Sequence, residues 1–327
     1  MNRLLLAFCV FLCMGSCPLM ARSVVIAISQ MASHPSLDAV REGFKSSLKK
    51  HGYKEGENLN IIYGNAHGDM EKSDQISRRI LSASPDVVLT ITTASTVSVL
   101  KVREDSYVPI VFAAVTDPVG DGLVNSMETP GEFITGTTDC PPLKKQLSLI
   151  QQVLRKKKIR LGVVYDGKSS GAQFQKSKID KISKSYNMEI KAMQVSNKEE
   201  LQAALQKLIP QVDAIYTPLD NLISTELPQI VATCLENDSG VKIPVFSSDP
   251  EGVRQGALAC VGFTHFEEGI LAGGLVIKIL NGARTMEIPV EKPEARDVYV
   301  NMTTAKLLGV QLPVTYEGIS GEVVRFE

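Results

Sequence analysis

Tryptophan is absent from the 327 residues, and tyrosine and phenylalanine are few, at 8 and 10. A binding surface built on aromatic anchors therefore has little to draw on, and a ring-shaped ligand would have to stack on Tyr or Phe. An excess of charge of one sign is missing too. Lys and Arg number 35 against 36 Asp and Glu, a formal net charge of -1, which removes the electrostatic case for nucleic acid or an anionic membrane surface as partner. The one basic cluster, Arg155-Lys156-Lys157-Lys158, falls where a helix should end, and cations favour helix C-termini. It reads as a solvated helix end. Cysteine is sparse: with Cys9, Cys13 and Cys17 in the first 21 residues, the remainder keeps Cys140, Cys234 and Cys260 and no CxxC pair. An odd, scattered set is no disulfide framework and reads as buried small apolar residues.

Catalytic and cofactor signatures are also lacking. His34, His51, His67 and His265 show no HxxxH spacing, so no metal site is expected. The chain has no GxxxxGK[ST] phosphate loop, no GxGxxG after a strand and no GxSxG elbow. Gly120-Asp121-Gly122 is a glycine-rich turn only. No cofactor is expected, and the chain reads as a binder rather than an enzyme.

Long hydrophobic runs are confined to the start. Arg3, the apolar stretch Leu4 to Met14 and the small residues after it have the form of an export leader, too short to span a bilayer. Met14-Gly15-Ser16-Cys17 resembles a lipobox, which makes Cys17 a candidate lipidation site; ordinary cleavage after Ala21 is the competing route. Residues 1–21 are thus expected to be a signal peptide, with an anchor of two chains sufficient for stable attachment.

After Arg22 short β-branched runs alternate with amphipathic helical stretches. Ser23 to Ser29 reads as a strand. Pro35 to His51 reads as a helix, with Leu37, Val40, Phe44 and Leu48 at helical spacing, Pro35 in its first turn and Gly52 ending it. Strands at 60–63, 86–91 and 109–114 alternate with helices at 72–83 and 96–103. The series restarts at Ile159, with strands at 159–165, 189–194, 214–216, 245–247 and 257–263 and helices at 174–186, 198–208, 222–236 and 265–280. Two βαβ series in tandem imply an α/β protein of two doubly wound parallel-sheet lobes with a hinge and a central cleft. Ligands of such sheets bind beyond the carboxyl ends of the strands.

Those ends are where polar residues gather. Strand one runs into Gln30 and Ser33-His34-Pro35, strand three into Thr92-Thr93-Ala94-Ser95-Thr96, and strand four into Thr116-Asp117-Pro118. In the second half Tyr216 runs into Thr217-Pro218-Leu219-Asp220-Asn221, and Phe246 into Ser247-Ser248-Asp249-Pro250. Each residue alone reads as a helix N-cap. Five such ends facing one crevice read as a binding site. The hydroxyls and helix-start amides at Thr92 to Thr96 suit a carboxylate. Asp117, Asp220 and Asp249 are the counterions on offer for an ammonium, Asp249 foremost, and an amino acid carries both charges.

The segments VVIAISQ, HPSLDAVREGFKSSLKKHGYKEGEN, TTAS, VFAAVTDPVG, ITGTTD, YTPLDN, PVFSSDPEGVRQGALACVGF and NMTTAKLLG occur in that order. Nearly the whole chain after the leader resembles the ABC transporter substrate-binding family that includes tryptophan- and tyrosine-binding lipoproteins. The resemblance implies a type I periplasmic-binding-protein fold with crossings near Thr137, Thr264 and Pro293. Lobe 1 would comprise 22–137 plus 265–293, and lobe 2 would comprise 138–264 plus 294–327. It further implies a monomer in the periplasm or on the outer face of the cell membrane, without enzymatic activity, that hands a small solute, an aromatic amino acid foremost, to an ABC permease and ATPase. Carried onto this chain, the ligand contacts are Gln30, Thr93, Ser95, Thr116, Asp117, Asp220, Asn221 and Asp249, with Tyr216 and Phe246 to stack an aromatic ligand. A ligand-sensing protein of the same fold that signals to a partner is the alternative.

Overall fold

The computed structural model describes residues 22–103, 106–237, 240–319 and 321–327; the expected leader, Cys17 and Ala21 lie outside them. The first half builds β1 (Val24–Gln30), α1 (Pro35–Lys50), β2 (Leu59–Asn65), α2 (Met70–Ser82), β3 (Val87–Ile91), α3 (Thr93–Val102), β4 (Ile110–Val115) and β5 (Ile134–Thr138). The second half builds α4 (Leu143–Leu154), β6 (Ile159–Asp166), α5 (Ser170–Ser183), β7 (Met188–Val195), α6 (Lys198–Leu208), β8 (Ala214–Thr217), α7 (Asn221–Leu235), β9 (Val245–Ser247), α8 (Pro250–Arg254) and β10 (Ala259–Gly262). The chain ends in α9 (His265–Leu280), β11 (Asp297–Asn301), α10 (Met302–Leu308) and β12 (Val323–Phe326).

Local chemistry explains the elements. Strands buried on both faces must be apolar throughout, and β3 and β4 are buried at every residue. Helix α1 starts on Pro35 and buries Leu37, Val40, Phe44 and Leu48 on one stripe. Asp69 caps α2 by accepting from the amides of Glu71 and Lys72. Thr264 and Glu267 form a reciprocal capping box at the start of α9, and Gly309 in the left-handed region ends α10.

The strands form two sheets in the orders β2-β1-β3-β4-β5 and β12-β11-β10-β9-β8-β6-β7. Read as β7-β6-β8-β9-β10, the second repeats the topology of the first, and both are parallel there. The departure is at the edge of sheet two, where β11 runs antiparallel to β10. This doubly wound order puts a switch point between β1 and β3 in one lobe and between β6 and β8 in the other, where the chain leaves in opposite directions and opens a crevice.

Three passages join the sheets. The chain leaves β5 for α4, whose Leu147 and Ile150 pack in the core with Leu161 and Val261 of the second sheet. It leaves β10 for α9, which packs Ala272, Leu275 and Val276 among residues of α1 and β3. It then passes a parallel bridge, Thr137 to Glu291, and returns to β11. The contact between α1 and α9 is close enough to demand glycine: a Cβ on Gly269 would lie 2.0 Å from the Val40 carbonyl oxygen. No helix of the described residues is long and apolar enough to cross a membrane.

Candidate ligand cleft

The two switch points face one another across a cavity of about 510 Å³, within the range of small-molecule sites. Lobe 1 contributes Met31, Ala32, His34 and Thr92 to Ala94 from the ends of β1 and β3, and Thr116 from the end of β4. Lobe 2 contributes Asp166, Lys168 to Gly171 and Leu219 to Asn221 from the ends of β6 and β8. Asp139 on the first passage and His265 at the start of α9 complete the floor. The lobes touch: His34 Nε2 lies 3.3 Å from Asn221 Oδ1, and Ser36 donates to Asp249 Oδ2 at 2.9 Å. A Cβ on Gly171 would meet Thr116 Oγ1 at 2.9 Å, so this approach of α5 to lobe 1 also leaves no room for a side chain.

Helix starts aim at the cavity from both sides. Helix α3 is capped by Thr92, which holds φ 93° and ψ 156°, a conformation that costs a β-branched residue ~1–3 kcal/mol. Its neighbour Ala114 is also at positive φ, 54°, where the pairing of β4 with β5 shifts register. Both strained residues line the cleft. Helices α5 and α7 start at Ser170 and Asn221, also on the lining. Their first amides have no partner within their helices and suit an anionic group.

The remaining lining is of two kinds. An apolar part consists of Met31, Leu37, Met70, Val97 and Leu219. A buried polar part consists of His34 and Asp139. His34 is neutralised by burial, which lowers its pKa against the hydrogen bond to Asn221. Since Asn221 Oδ1 only accepts, Nε2 carries the proton, and Nδ1 is a buried acceptor with no partner among the described residues. Asp139 is 5% exposed and accepts one hydrogen bond, from Thr116 Oγ1 at 2.8 Å. Burial first, and the Glu268 carboxylate second, push its pKa up to about 7.

Beneath Asp139 runs a buried ionic chain. His265 Nε2 lies 3.1 Å from Asp249 Oδ2, and Nδ1 lies 3.2 Å from Glu268 Oε2. Burial alone would lower the pKa of His265, but the two carboxylates raise it well above its ordinary value. Asp249 responds in kind: burial would raise it, yet hydrogen bonds from His265, Gly252 and Ser36 hold it at about 2. Glu268 Oε1 reaches into lobe 1, accepting from the Ala114 amide at 2.9 Å and Thr137 Oγ1 at 3.0 Å. Asp139, His265 and Glu268 place donor atoms within 4.8 Å of one another, but both nitrogens of His265 already face carboxylates. The group is an ion-pair chain, with no free lone pair on the imidazole for a metal.

Of the residues expected at the site, Thr93, Thr116, Asp220 and Asn221 stand on the cavity lining. Asp220 has both oxygens taken by amides, of Ile223 at 2.8 Å and Asp166 at 2.7 Å, and burial pushes its pKa to about 6. The others stand off the lining. Gln30 bonds Ala32, Asp38, Arg41 and Tyr63 behind β1. Ser95 is fully buried inside the first turn of α3, its hydroxyl without a partner. Asp117 closes its own turn on the Gly120 amide. Tyr216 and Phe246 pair in register inside sheet two and are buried in its core, with the Tyr216 hydroxyl on Gln146. Neither ring reaches the cavity, where the rings among the described residues are those of His34 and His265. The favoured counterion, Asp249, spends its carboxylate on Ser36, Ser247, Gly252 and His265. Asp139 also lines the cavity though it was not among the expected contacts, and so does His34, which the sequence placed at the end of strand one without carrying it over as a contact. The buried cysteines Cys234 and Cys260 and the half-buried Cys140 are free thiols.

The family model for ABC transporter substrate binding protein matches residues 25–322. The chain belongs to that family. A tyrosine-binding protein of Clostridioides difficile (strain R20291) is 35% identical over 286 residues, 88% of this chain and 81% of that one. Among solved structures, an ABC domain from Streptococcus pneumonia in complex with L-Trp matches with a TM-score of 0.84 at 27% identity, covering 92% of this chain and 100% of that one. The ligand-free, open structure of a substrate binding protein with adhesive properties from Clostridium difficile matches with a TM-score of 0.71 at 31% identity, covering 93% and 100%. The family's fold is that of type I periplasmic binding proteins. More distant solute-binding proteins, such as one from Bacillus halodurans with bound myo-inositol at 14% identity and a TM-score of 0.61, share the fold alone.

Proposed function

We propose that this chain is the extracytoplasmic substrate-binding component of an ABC importer, tethered through Cys17, which captures one free amino acid between its lobes and delivers it to a permease. The observation that carries the reading is the polarity of the cleft. Helix-start amides at Thr93, Ser170 and Asn221 suit a carboxylate, buried acceptors on His34 and Asp139 suit an ammonium, and the apolar part at Met31, Leu37, Met70, Val97 and Leu219 suits a side chain. An aromatic side chain is favoured by the relatives named for tyrosine and bound to L-Trp. Without Tyr or Phe on the lining, its ring would pack on Met31 and Met70, whose sulfurs make favourable contacts with aromatic edges. The higher TM-score with the L-Trp complex than with the open relative supports a closed arrangement of the lobes in this structure. Thr93, Thr116, Asn221, His34 and Asp139 are the proposed ligand contacts, in a monomer.

Isothermal calorimetry of the mature protein against the twenty amino acids and myo-inositol tests this. One-to-one binding of L-tyrosine or L-tryptophan in the micromolar range or tighter is expected. Binding of myo-inositol with no heat from any amino acid would overturn it.

A further inference from the structure

Asp139 differs from Asp220 and Asp249, the buried aspartates beside it near the cleft. Asp220 and Asp249 have both oxygens engaged by protein donors. Asp139 Oδ1 accepts from Thr116, and its Oδ2 receives no hydrogen bond from the described residues, although the side chain is buried on the cavity floor. An acceptor left so in a ligand cavity is aimed at a donor from outside the chain. The groups that face it are the Glu268 carboxylate and the His265 imidazole on α9 and the Asp249 carboxylate at the start of α8. Cys140 follows it in the chain, and the Asp117 carboxylate acts on that thiol. Lys292 on the third passage and Lys178 on α5 act on Cys140 beside it. The buried imidazole near it, His265, lies within 4.8 Å but already faces the carboxylates of Asp249 and Glu268, so an ionised Asp139 would add a second net negative charge to this buried group.

We propose that Asp139 is the counterion for the ligand's ammonium group, and that an amino acid enters by exchange, its ammonium replacing the proton of the Asp139 carboxylic acid, which leaves for solvent. This rests on the reading of the ligand as an amino acid. The O–H bond of the acid breaks, buffer takes the proton, and the carboxylate left behind pairs with the N–H groups of the ammonium; that pair is neutral, and the one negative charge the occupied cleft gains is the ligand's carboxylate, which the helix-start amides meet. The empty cleft thereby avoids a buried unpaired anion, the costly state.

The sign of the pH dependence follows. Because the acid form dominates below about pH 7, binding must remove a proton there, and affinity rises with pH until Asp139 is ionised in the free protein. For a group of pKa about 7, proton release is about 0.9 per ligand at pH 6 and about 0.1 at pH 8, with affinity about tenfold lower at pH 6.

Calorimetry with L-tryptophan in two buffers of different ionisation enthalpy, at both pH values, measures the release on the unaltered protein. Asp139→Asn should weaken L-tryptophan at least about 30-fold and abolish both the release and the pH dependence. Indole-3-propionate, which lacks the amino group, should bind the wild type far more weakly than L-tryptophan and should bind Asp139→Asn about as well as L-tryptophan does; a merely structural Asp139 would depress both ligands alike. Binding of L-tryptophan without proton release at pH 6 overturns the exchange while leaving the amino-acid reading intact. Absence of binding by every amino acid removes the reading beneath it.

Discussion

Replacing His265 with Gln withdraws the only cation from a buried chain of two carboxylates. The side chains of His265, Glu268 and Asp249 are 2%, 0% and 9% exposed. At an effective dielectric of about 20, each contact of about 3.1–3.2 Å carries roughly 5 kcal/mol of gross attraction, most of it offset by desolvation of the ions. What remains visible on removal is the penalty of two carboxylates without a counter-charge, about 3–5 kcal/mol. Glutamine keeps the hydrogen-bonding capacity and size while losing the charge. Urea unfolding followed by circular dichroism at pH 7 should register that loss. The pH profile adds a second reading. His265 has a folded pKa raised above its ordinary 6.5, so its contribution is complete below about 6.5 and fades as pH climbs through the folded value. Asp249 has a folded pKa near 2 against an ordinary 3.8, so its contribution is complete above about 4 and fades toward pH 2. The gap between wild type and variant should therefore narrow as pH falls below neutrality, because carboxylates buried without a counter-charge take up protons above their ordinary range, and narrow further below about pH 4, where Asp249 of the wild type loses its contribution. A loss under 1 kcal/mol, or a gap indifferent to pH, refutes the reasoning.

Three other outcomes follow from the same structure. Gly269→Val should cost about 1–3 kcal/mol by overpacking and prise α9 from the Val40 carbonyl, seen as a lower urea midpoint. L-tyrosine should shrink the radius of gyration in small-angle scattering, because contacts to both lobes favour the closed state; an unchanged radius at saturation contradicts this. Cys17→Ser should move the exported protein from the detergent phase to the aqueous phase on partitioning, and a wild type already aqueous contradicts lipidation.

The architecture was largely legible because strands buried on both faces are continuous apolar runs, as β3 and β4 are, and each run is punctuated by a capped helix. The edge of sheet two was not. β12 is a four-residue VVRF strand with both faces half-covered, and β11 takes its antiparallel direction from a long return through α9 that no local pattern announces. The cleft was legible as a set of strand ends, and Thr93, Thr116, Asp220 and Asn221 lie there. Strand-end logic could not rank carboxylates, because Asp249 looks free in sequence while its partner His265 stands 16 residues away. It passed over Asp139, which ends a strand leading into a crossing rather than into a helix cap. His34 was placed at a strand end, but the sequence could not show that burial there keeps it neutral. Tyr216 and Phe246 illustrate the limit of period-two reasoning: a strand covered on both faces hides its aromatics whichever way they point.

The most direct measurement is a crystal structure of the mature protein grown with L-tyrosine. Density is expected for one molecule between the lobes, its carboxylate on the amides at the start of α3, α5 or α7, its ammonium on Asp139, and its ring against Met31 and Met70. Density on one lobe alone, or an ammonium paired with Asp249 instead, would contradict it.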